Sequence, residues 1–240
     1  MSELNQETRD YIIQGLKSAE IEASNEQLEK LEKYMDGILS WNEKVNLTAI
    51  TEPEEFVEKH YVDSLQAIKL AEFNEAVKVL DLGTGGGFPG VPLAIMCPEK
   101  EFILVDSLSK RLKIIDELAE ALDIDNIKTL HGRFEDLGKD ENLRETFEIV
   151  VSRAVAEMAV LAEYALPFVS IGGFLIAYKT GGELLDKELD GATRAIKLLG
   201  GELIRIKKAQ GDHVLVIIKK KKKTPKEYPR RAGTPKKDPL

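Results

Sequence analysis

The sequence has 240 residues, 43% hydrophobic and 32% charged, with a formal charge of −8. That composition predicts a globular protein with one large domain, or a main domain plus an extension. No apolar run approaches the roughly 18 residues that would span a bilayer, the opening Met1-Ser-Glu-Leu-Asn-Gln-Glu7 lacks the basic and apolar regions of a signal peptide, and the lone Cys97 cannot close an internal disulfide, so a cytoplasmic protein is expected.

The first 75 residues read as a helical extension. Leu28, Leu31, Met35, Ile38 and Leu39 recur at helical spacing, and Ser24 or Asn25 can cap that helix. Thr51 and Glu54 fit a capping box for the next helix, with Pro53 in its first turn. Between the two helices, Trp41-Asn-Glu-Lys-Val-Asn-Leu-Thr48 turns polar and loses the period, which places a connection near residues 46–50.

From residue 77 the pattern changes. Short apolar runs at 77–82, 102–105, 147–151, 174–178, 203–206 and 214–218, with a weaker one at 127–130, have the character of buried strands. They alternate with helical segments near 90–96, 109–122, 155–169 and 182–199. Residues 76–218 are therefore expected to form a doubly wound, Rossmann-like α/β sheet. A short loop at 210–212 predicts that the last two strands form an antiparallel hairpin at one edge.

Residues 219–240 form a tail with ten cations, two acids and four prolines, so the tail carries +8 and the rest of the chain −16. An acidic body with a basic tail predicts a polyanionic partner engaged through the tail. With few apolar residues the tail is expected to be disordered alone and to order on that partner.

The candidate site begins where the first strand opens into glycines, Asp81-Leu-Gly-Thr-Gly-Gly-Gly-Phe-Pro-Gly90. Open α/β sheets bind ligands at the carboxyl ends of their strands, and glycine there permits positive φ and close approach to the backbone. Two frames overlap. Gly83-x-Gly85-x-Gly87, with Asp81 upstream, suits S-adenosylmethionine, which carries cationic groups and no phosphate. Gly85-x-Gly87-x-x-Gly90 is the dinucleotide fingerprint, but it starts three residues past the strand and puts Pro89 where the helix should begin. The first frame is the better fit.

Later strand ends add candidates. Asp106, which ends the second strand, can accept hydrogen bonds from ribose hydroxyls or cap the next helix. Phe134 and Glu135 after the third strand suit an adenine ring and its amino group. Arg153 after the fourth strand is expected to face the crevice or to form a surface ion pair. Lys110 and Arg111 oppose the dipole at a helix start, which phosphate contact or an ion pair with Asp81 or Glu135 would explain. His60 and Asp63 are candidates for a substrate pocket or for a structural hydrogen-bonded pair. Cys97 has no evident base beside it, and no metal site is expected.

These residues resemble the guanine-N7 methyltransferases of 16S ribosomal RNA, a family also called glucose-inhibited division protein B. The resemblance runs from about residue 28 to 240. It rests on Trp41-Asn-x-x-x-Asn46-Leu-Thr48, His60-x-x-Asp63-Ser64, the glycine turn, Asp106-Ser-Leu-x-Lys110-Arg111, Arg133-x-Glu135, Ser152-Arg-Ala154 and Thr224-Pro-x-x-Tyr-Pro-Arg230-x-x-Gly-Thr-Pro235. It implies a class I methyltransferase sheet and contacts to S-adenosylmethionine at Gly83, Phe88, Phe134, Glu135 and Arg153. It also implies methylation of a guanine in the 530 loop, in free RNA or the small ribosomal subunit. Asn46, His60, Asp63, Lys110, Arg111, Lys219, Lys220, Lys221, Lys222, Lys223, Arg230 and Arg231 become candidate RNA contacts. The segment Lys179-Thr-Gly-Gly182 departs from the Lys-Gly or Lys-Ala of many members, which leaves a role for Lys179 open. Guanine N7 already offers a lone pair, so no catalytic base is expected. The absence of an Asn/Asp-Pro-Pro-Tyr/Phe motif agrees with that. Nothing in the sequence requires more than a monomer.

Overall fold

The computed structural model describes residues 3–240. The first segment supplies α1 (Glu3–Ser18), α2 (Asn25–Asn42), α3 (Pro53–Phe56), a π-helical turn (Val57–Val62), α4 (Asp63–Leu65), a 3-10 turn (Gln66–Lys69) and α5 (Ala71–Glu75). Ser24 caps α2 in a full capping box with Gln27. The connection expected near 46–50 is present and longer, starting at Glu43, with Asn42 Oδ1 accepting the Leu47 and Thr48 N–H groups. One expectation fails here. The cap of α3 is Glu52 with no side-chain bond, since the Thr48 hydroxyl already organises this turn by accepting from Ile50 N–H.

The remainder alternates as expected: β1 (Lys78–Leu82), α6 (Gly90–Met96), β2 (Glu101–Asp106), α7 (Ser109–Ala121), β3 (Ile127–His131), α8 (Phe134–Leu137), β4 (Phe147–Arg153), α9 (Met158–Ala165), β5 (Val169–Thr180), α10 (Glu183–Leu198), β6 (Gly201–Lys208), β7 (His213–Lys220) and α11 (Thr234–Lys237). The sheet order is β3-β2-β1-β4-β5-β7-β6. The strands β1 to β5 pair in parallel, while β7 lies antiparallel between β5 and β6. The order reverses between β1 and β4, so a crevice opens at their carboxyl ends.

Both faces of the sheet are covered. Val79, Leu104, Val151 and Ile176 pack into a cluster that includes Leu31, Met35, Phe56 and Tyr61 from the first segment. Leu80, Val105, Val150 and Leu175 pack on the other face with α9 and α10. The alternation within each strand assigns neighbours to opposite cores, as a doubly covered parallel sheet requires. The helical extension is thus the lid of one sheet face. No helix among the described residues is long and apolar enough to cross a membrane.

Residues 219–240 overturn the expectation of a disordered tail. Lys219 and Lys220 belong to β7, Lys220 and Thr224 are buried, and Pro235 is buried in α11. The segment lacks a core of its own but borrows one, with Tyr228 and Leu240 packed on the α9–α10 core.

Candidate active site

The glycine turn is held by its neighbours in the sheet. Gly83 and Thr84 N–H groups donate to Val105 O at 2.9 and 3.0 Å, and Gly85 N–H donates to Asp106 Oδ2 at 2.9 Å. Gly83, Gly85 and Gly87 have φ of 82°, 58° and 88°, which L side chains rarely adopt. Space matters as well. A Cβ on Gly87 would sit 2.2 Å from Tyr34 Oη, whereas a Cβ on Gly85 would meet nothing within 4 Å. Tyr34 Oη donates to Gly86 O at 3.0 Å, so α2 clamps the buried side of the turn. The part-exposed Gly83 and Gly85 are on its open side.

Asp81 lies beneath the turn and is fully buried. Its Oδ2 accepts from Thr84 Oγ1 at 2.6 Å and from Gly90 N–H at 2.8 Å, while its Oδ1 has no hydrogen-bond partner. Burial pushes its pKa up to about 6, against the opposing pull of those two hydrogen bonds. An orphaned buried carboxylate oxygen calls for a donor or a cation.

A crevice of about 990 Å³ runs beyond the ends of β2, β3 and β4. Phe134 and Glu135 line it, opposite Val155 and Tyr164. Asp106 stands between turn and crevice. Besides Gly85 N–H it takes Leu108 N–H on Oδ1 at 2.8 Å, so it binds backbone ahead of α7. Arg111 lies 3.9 Å from Asp106 Oδ2. That replaces the expected pairing with Asp81 or Glu135. Lys110 is exposed.

Phe88, His60, Asp63 and Arg153 form a separate cluster on the extension side of the turn. The His60 ring stacks on Phe88 with centroids 4.3 Å apart and planes 8° apart, and the Arg153 guanidinium lies 5.7 Å over Phe88. Arg153 Nη1 donates to Asp63 Oδ2 at 2.8 Å and to Lys59 O at 2.7 Å, and its Nη2 is 3.1 Å from His60 Nδ1. His60 Nε2 is 2.7 Å from Thr48 Oγ1, and Asp63 Oδ1 is 2.7 Å from His213 Nδ1. His60 and Asp63 are therefore not bonded as a pair; Arg153 joins them. The ion pair is also not a surface one, since Asp63 is 3% exposed. Burial, reinforced by Arg153 and Lys59, lowers the His60 pKa to about 3, so its ring is neutral at working pH and can accept from Arg153. The π-helical turn carries Lys59 and His60 into this cluster, a backbone form that recurs at functional sites. Ala154, next to Arg153, has φ of 56°, strain of a kind that clusters at such sites.

The other candidates divide. Asn46 is exposed at the surface. Lys220 Nζ is buried against Leu166 O, Thr224 Oγ1 and Glu145, so it cannot meet RNA. Lys219 covers the Phe174 ring, and Lys221 pairs with Glu202. Arg230 is locked to buried Glu163. Lys222, Lys223 and Arg231 are exposed. Lys179 binds Ala156 O and Glu188. Cys97 is buried, and burial pushes its thiol up to about 11, which removes it as a nucleophile. The reading of the sequence missed Tyr34, Tyr164 and Gly233. An apolar-face tyrosine gives no sign that its hydroxyl reaches a glycine turn, and the Gly-Thr-Pro235 motif gave no sign of its destination. Among the described residues, no group of three His, Cys, Asp or Glu is placed to hold a metal ion.

Comparison with known proteins agrees with this architecture. The family described as rRNA small subunit methyltransferase G matches residues 27–216. The chain belongs to this family. Relatives named ribosomal RNA small subunit methyltransferase G are 48% identical in Clostridium tetani, over 87% of this chain and 88% of the relative. In Clostridium novyi identity is 42% over 96% of both chains. Among solved structures, the O-methyltransferase from Bacillus cereus in complex with SAH shares the fold with a TM-score of 0.53 at 17% identity, covering 78% of this chain and 90% of that one. The ribosomal protein L11 methylase from Lactobacillus delbrueckii subsp. bulgaricus gives 0.52 at 16% identity, over 69% of this chain and 80% of that one.

Proposed function

We propose that the crevice and glycine turn hold S-adenosylmethionine, and that the protein uses it to methylate N7 of a guanine in the 530 loop of 16S rRNA. Membership in the rRNA small subunit methyltransferase G family makes the chain an rRNA (guanine-N7)-methyltransferase. The observation that carries the cofactor is Asp81. Fully buried under a turn of three positive-φ glycines, with Oδ1 unpartnered, its carboxylate sets up a negative field at the turn that favours a cationic ligand above it.

The same residue weighs against a dinucleotide. A pyrophosphate needs free N–H groups at the helix start. Here Gly90 N–H is already taken by the Asp81 carboxylate, which would also repel the phosphates.

In this reading Asp106 receives ribose hydroxyls, Glu135 accepts from the adenine amino group and Phe134 packs on the ring. When bound, the cofactor supplies an electrophilic methyl group on a sulfonium. The protein's own part is alignment, which contributes several kcal/mol in general. Phe88 and His60 back the turn, and Arg153, anchored by Asp63, ties β4 to the π-helical turn. No side chain has to deprotonate N7, because its lone pair is free. The exposed Lys222, Lys223 and Arg231 supply electrostatic footing for RNA. The protein works as a monomer in the cytoplasm, where the small subunit matures.

Calorimetry should show S-adenosylhomocysteine binding and no NAD binding. After incubation with small subunits or naked 16S rRNA, borohydride reduction and aniline cleavage of the RNA should give one new primer-extension stop, at an N7-methylguanine. NAD binding without S-adenosylhomocysteine binding would reverse the cofactor reading, and turnover without RNA would reverse the substrate.

A further inference from the structure

The tail ends on the cofactor crevice. Beyond β7 it passes Arg144, whose guanidinium donates to Thr224 O at 2.8 Å, Pro225 O at 3.1 Å and Tyr228 O at 2.9 Å. Next comes Arg230, which grips Glu163 of α9 with three donors. Its N–H reaches Oε1 at 2.8 Å, its Nε reaches Oε1 at 3.0 Å and its Nη2 reaches Oε2 at 2.7 Å. Glu163 is fully buried, so this fork is its counter-charge. Three residues later Gly233 N–H donates to Glu135 Oε1 at 2.8 Å. Gly233, Lys236, Lys237 and Pro239 then line the crevice opposite Val155 and Val160.

We propose that residues 228–239 are the outer wall of the adenine end of the cofactor site, and that Arg230 is the positioning residue that holds this wall in place. The inference rests on the reading of the crevice as the S-adenosylmethionine site. Gly233 N–H occupies Glu135 Oε1 and so orients the carboxylate, leaving Oε2 for a donor on the ligand. Gly233 has φ of 83°, and a Cβ there would meet nothing within 4 Å, so the position demands its backbone form and not its small size. A wall contributed by the tail shields the adenine from water and fixes its acceptor in advance, which raises affinity by preorganisation. This role differs from RNA footing, because it acts when no RNA is present.

The test uses the full chain without RNA, titrated calorimetrically with S-adenosylhomocysteine. Arg230→Met keeps the apolar stem and the backbone N–H donor but removes the guanidinium donors, and it should weaken binding by about tenfold or more at unchanged stoichiometry. Gly233→Ala leaves the Arg230–Glu163 pair intact and should weaken binding by about threefold or more. Arg230→Lys restores charge without the fork and should recover part of the affinity. Lys226→Ala, an exposed tail change, should leave affinity unaltered. In turnover, the cofactor KM should rise with the Kd, while kcat at saturating cofactor stays within about twofold. A merely structural loss would lower stoichiometry and kcat instead. If Arg230→Met fails to fold, Gly233→Ala decides. Wild-type affinity in the variants that fold overturns the inference and leaves the cofactor reading intact; a wild-type protein that binds no S-adenosylhomocysteine overturns that reading and the inference with it.

Discussion

The glycine turn and the C-terminal tail both end beside the crevice, but they are fastened in opposite ways. Apart from the Tyr34 clamp, 52 residues away, the turn is tied by contacts close in sequence: Thr84 and Gly90 to Asp81, and Gly85 to Asp106, spanning 3, 9 and 21 residues. The tail is tied by contacts spanning 67 to 98 residues, from Arg230 to Glu163 and Gly233 to Glu135. A local fastening leaves a motif that can be read along the chain. A distant one leaves only an apparently solvated basic segment, because its partners are brought in by the sheet.

The largest effects should come from breaking the turn. Gly87→Ala combines a left-handed backbone, costing about 1–2 kcal/mol, with a Cβ 2.2 Å from Tyr34 Oη, for which overpacking adds about 1–3 kcal/mol. Urea unfolding should show this loss, and cofactor binding should disappear. Gly85→Ala meets no neighbour and should lose only about 1 kcal/mol.

Breaking the tail should cost comparable energy locally. Arg230→Met strands the buried Glu163, a penalty of about 3 kcal/mol. Release of the tail lets water reach the carboxylate and caps that loss. Limited proteolysis should therefore clip the tail of the variant well before the domain, and equal resistance in both proteins would show that the fork does not hold it.

The pH dependence of cofactor binding sharpens the contrast, since it belongs to the turn alone. Asp81 has a folded pKa of about 6, raised from 3.8 by burial. Its contribution to stability is present below the unfolded value and is lost as pH rises through 6, where the free carboxylate becomes a buried charge. A cationic ligand relieves that charge, so S-adenosylmethionine affinity should rise by about tenfold from pH 5 to pH 7, and that of S-adenosylhomocysteine, which lacks the sulfonium, by less. Asp81→Asn should flatten this rise, and an unchanged profile in the variant would assign it elsewhere.

The smallest effect lies within the lysine run. Replacing both exposed Lys222 and Lys223 with Ala should reduce the salt slope of RNA binding by about 1.4, with stability unaltered. Lys220→Met should do the reverse, altering stability and leaving the slope, because Lys220 is buried and its pKa is lowered by burial to about 8.

Much of the fold was legible because its signals are periodic and local. Apolar runs such as those around Val79 and Val150 announce strands covered on both faces, and the intervening helices set their direction. The Ser24 cap could be read for the same reason, since its partner Gln27 is three residues away. The Thr51–Glu54 box fitted the same pattern and failed, because Thr48 and Asn42 had organised that loop differently. Composition made the tail look disordered because it counts what a segment can bury by itself, not what a neighbouring core can lend it.

Within the site, sequence alone determined the residues whose chemistry depends on neighbours along the chain: the positive-φ glycines, Asp81 beneath them and the acids at strand ends. Tertiary structure decided which cation faces which acid. Arg111 meets Asp106, Arg153 joins Asp63 to His60, and Arg230 leaves the presumed RNA surface for Glu163. A long cationic side chain can satisfy its charge with any carboxylate within reach, and only the folded sheet brings one of them there.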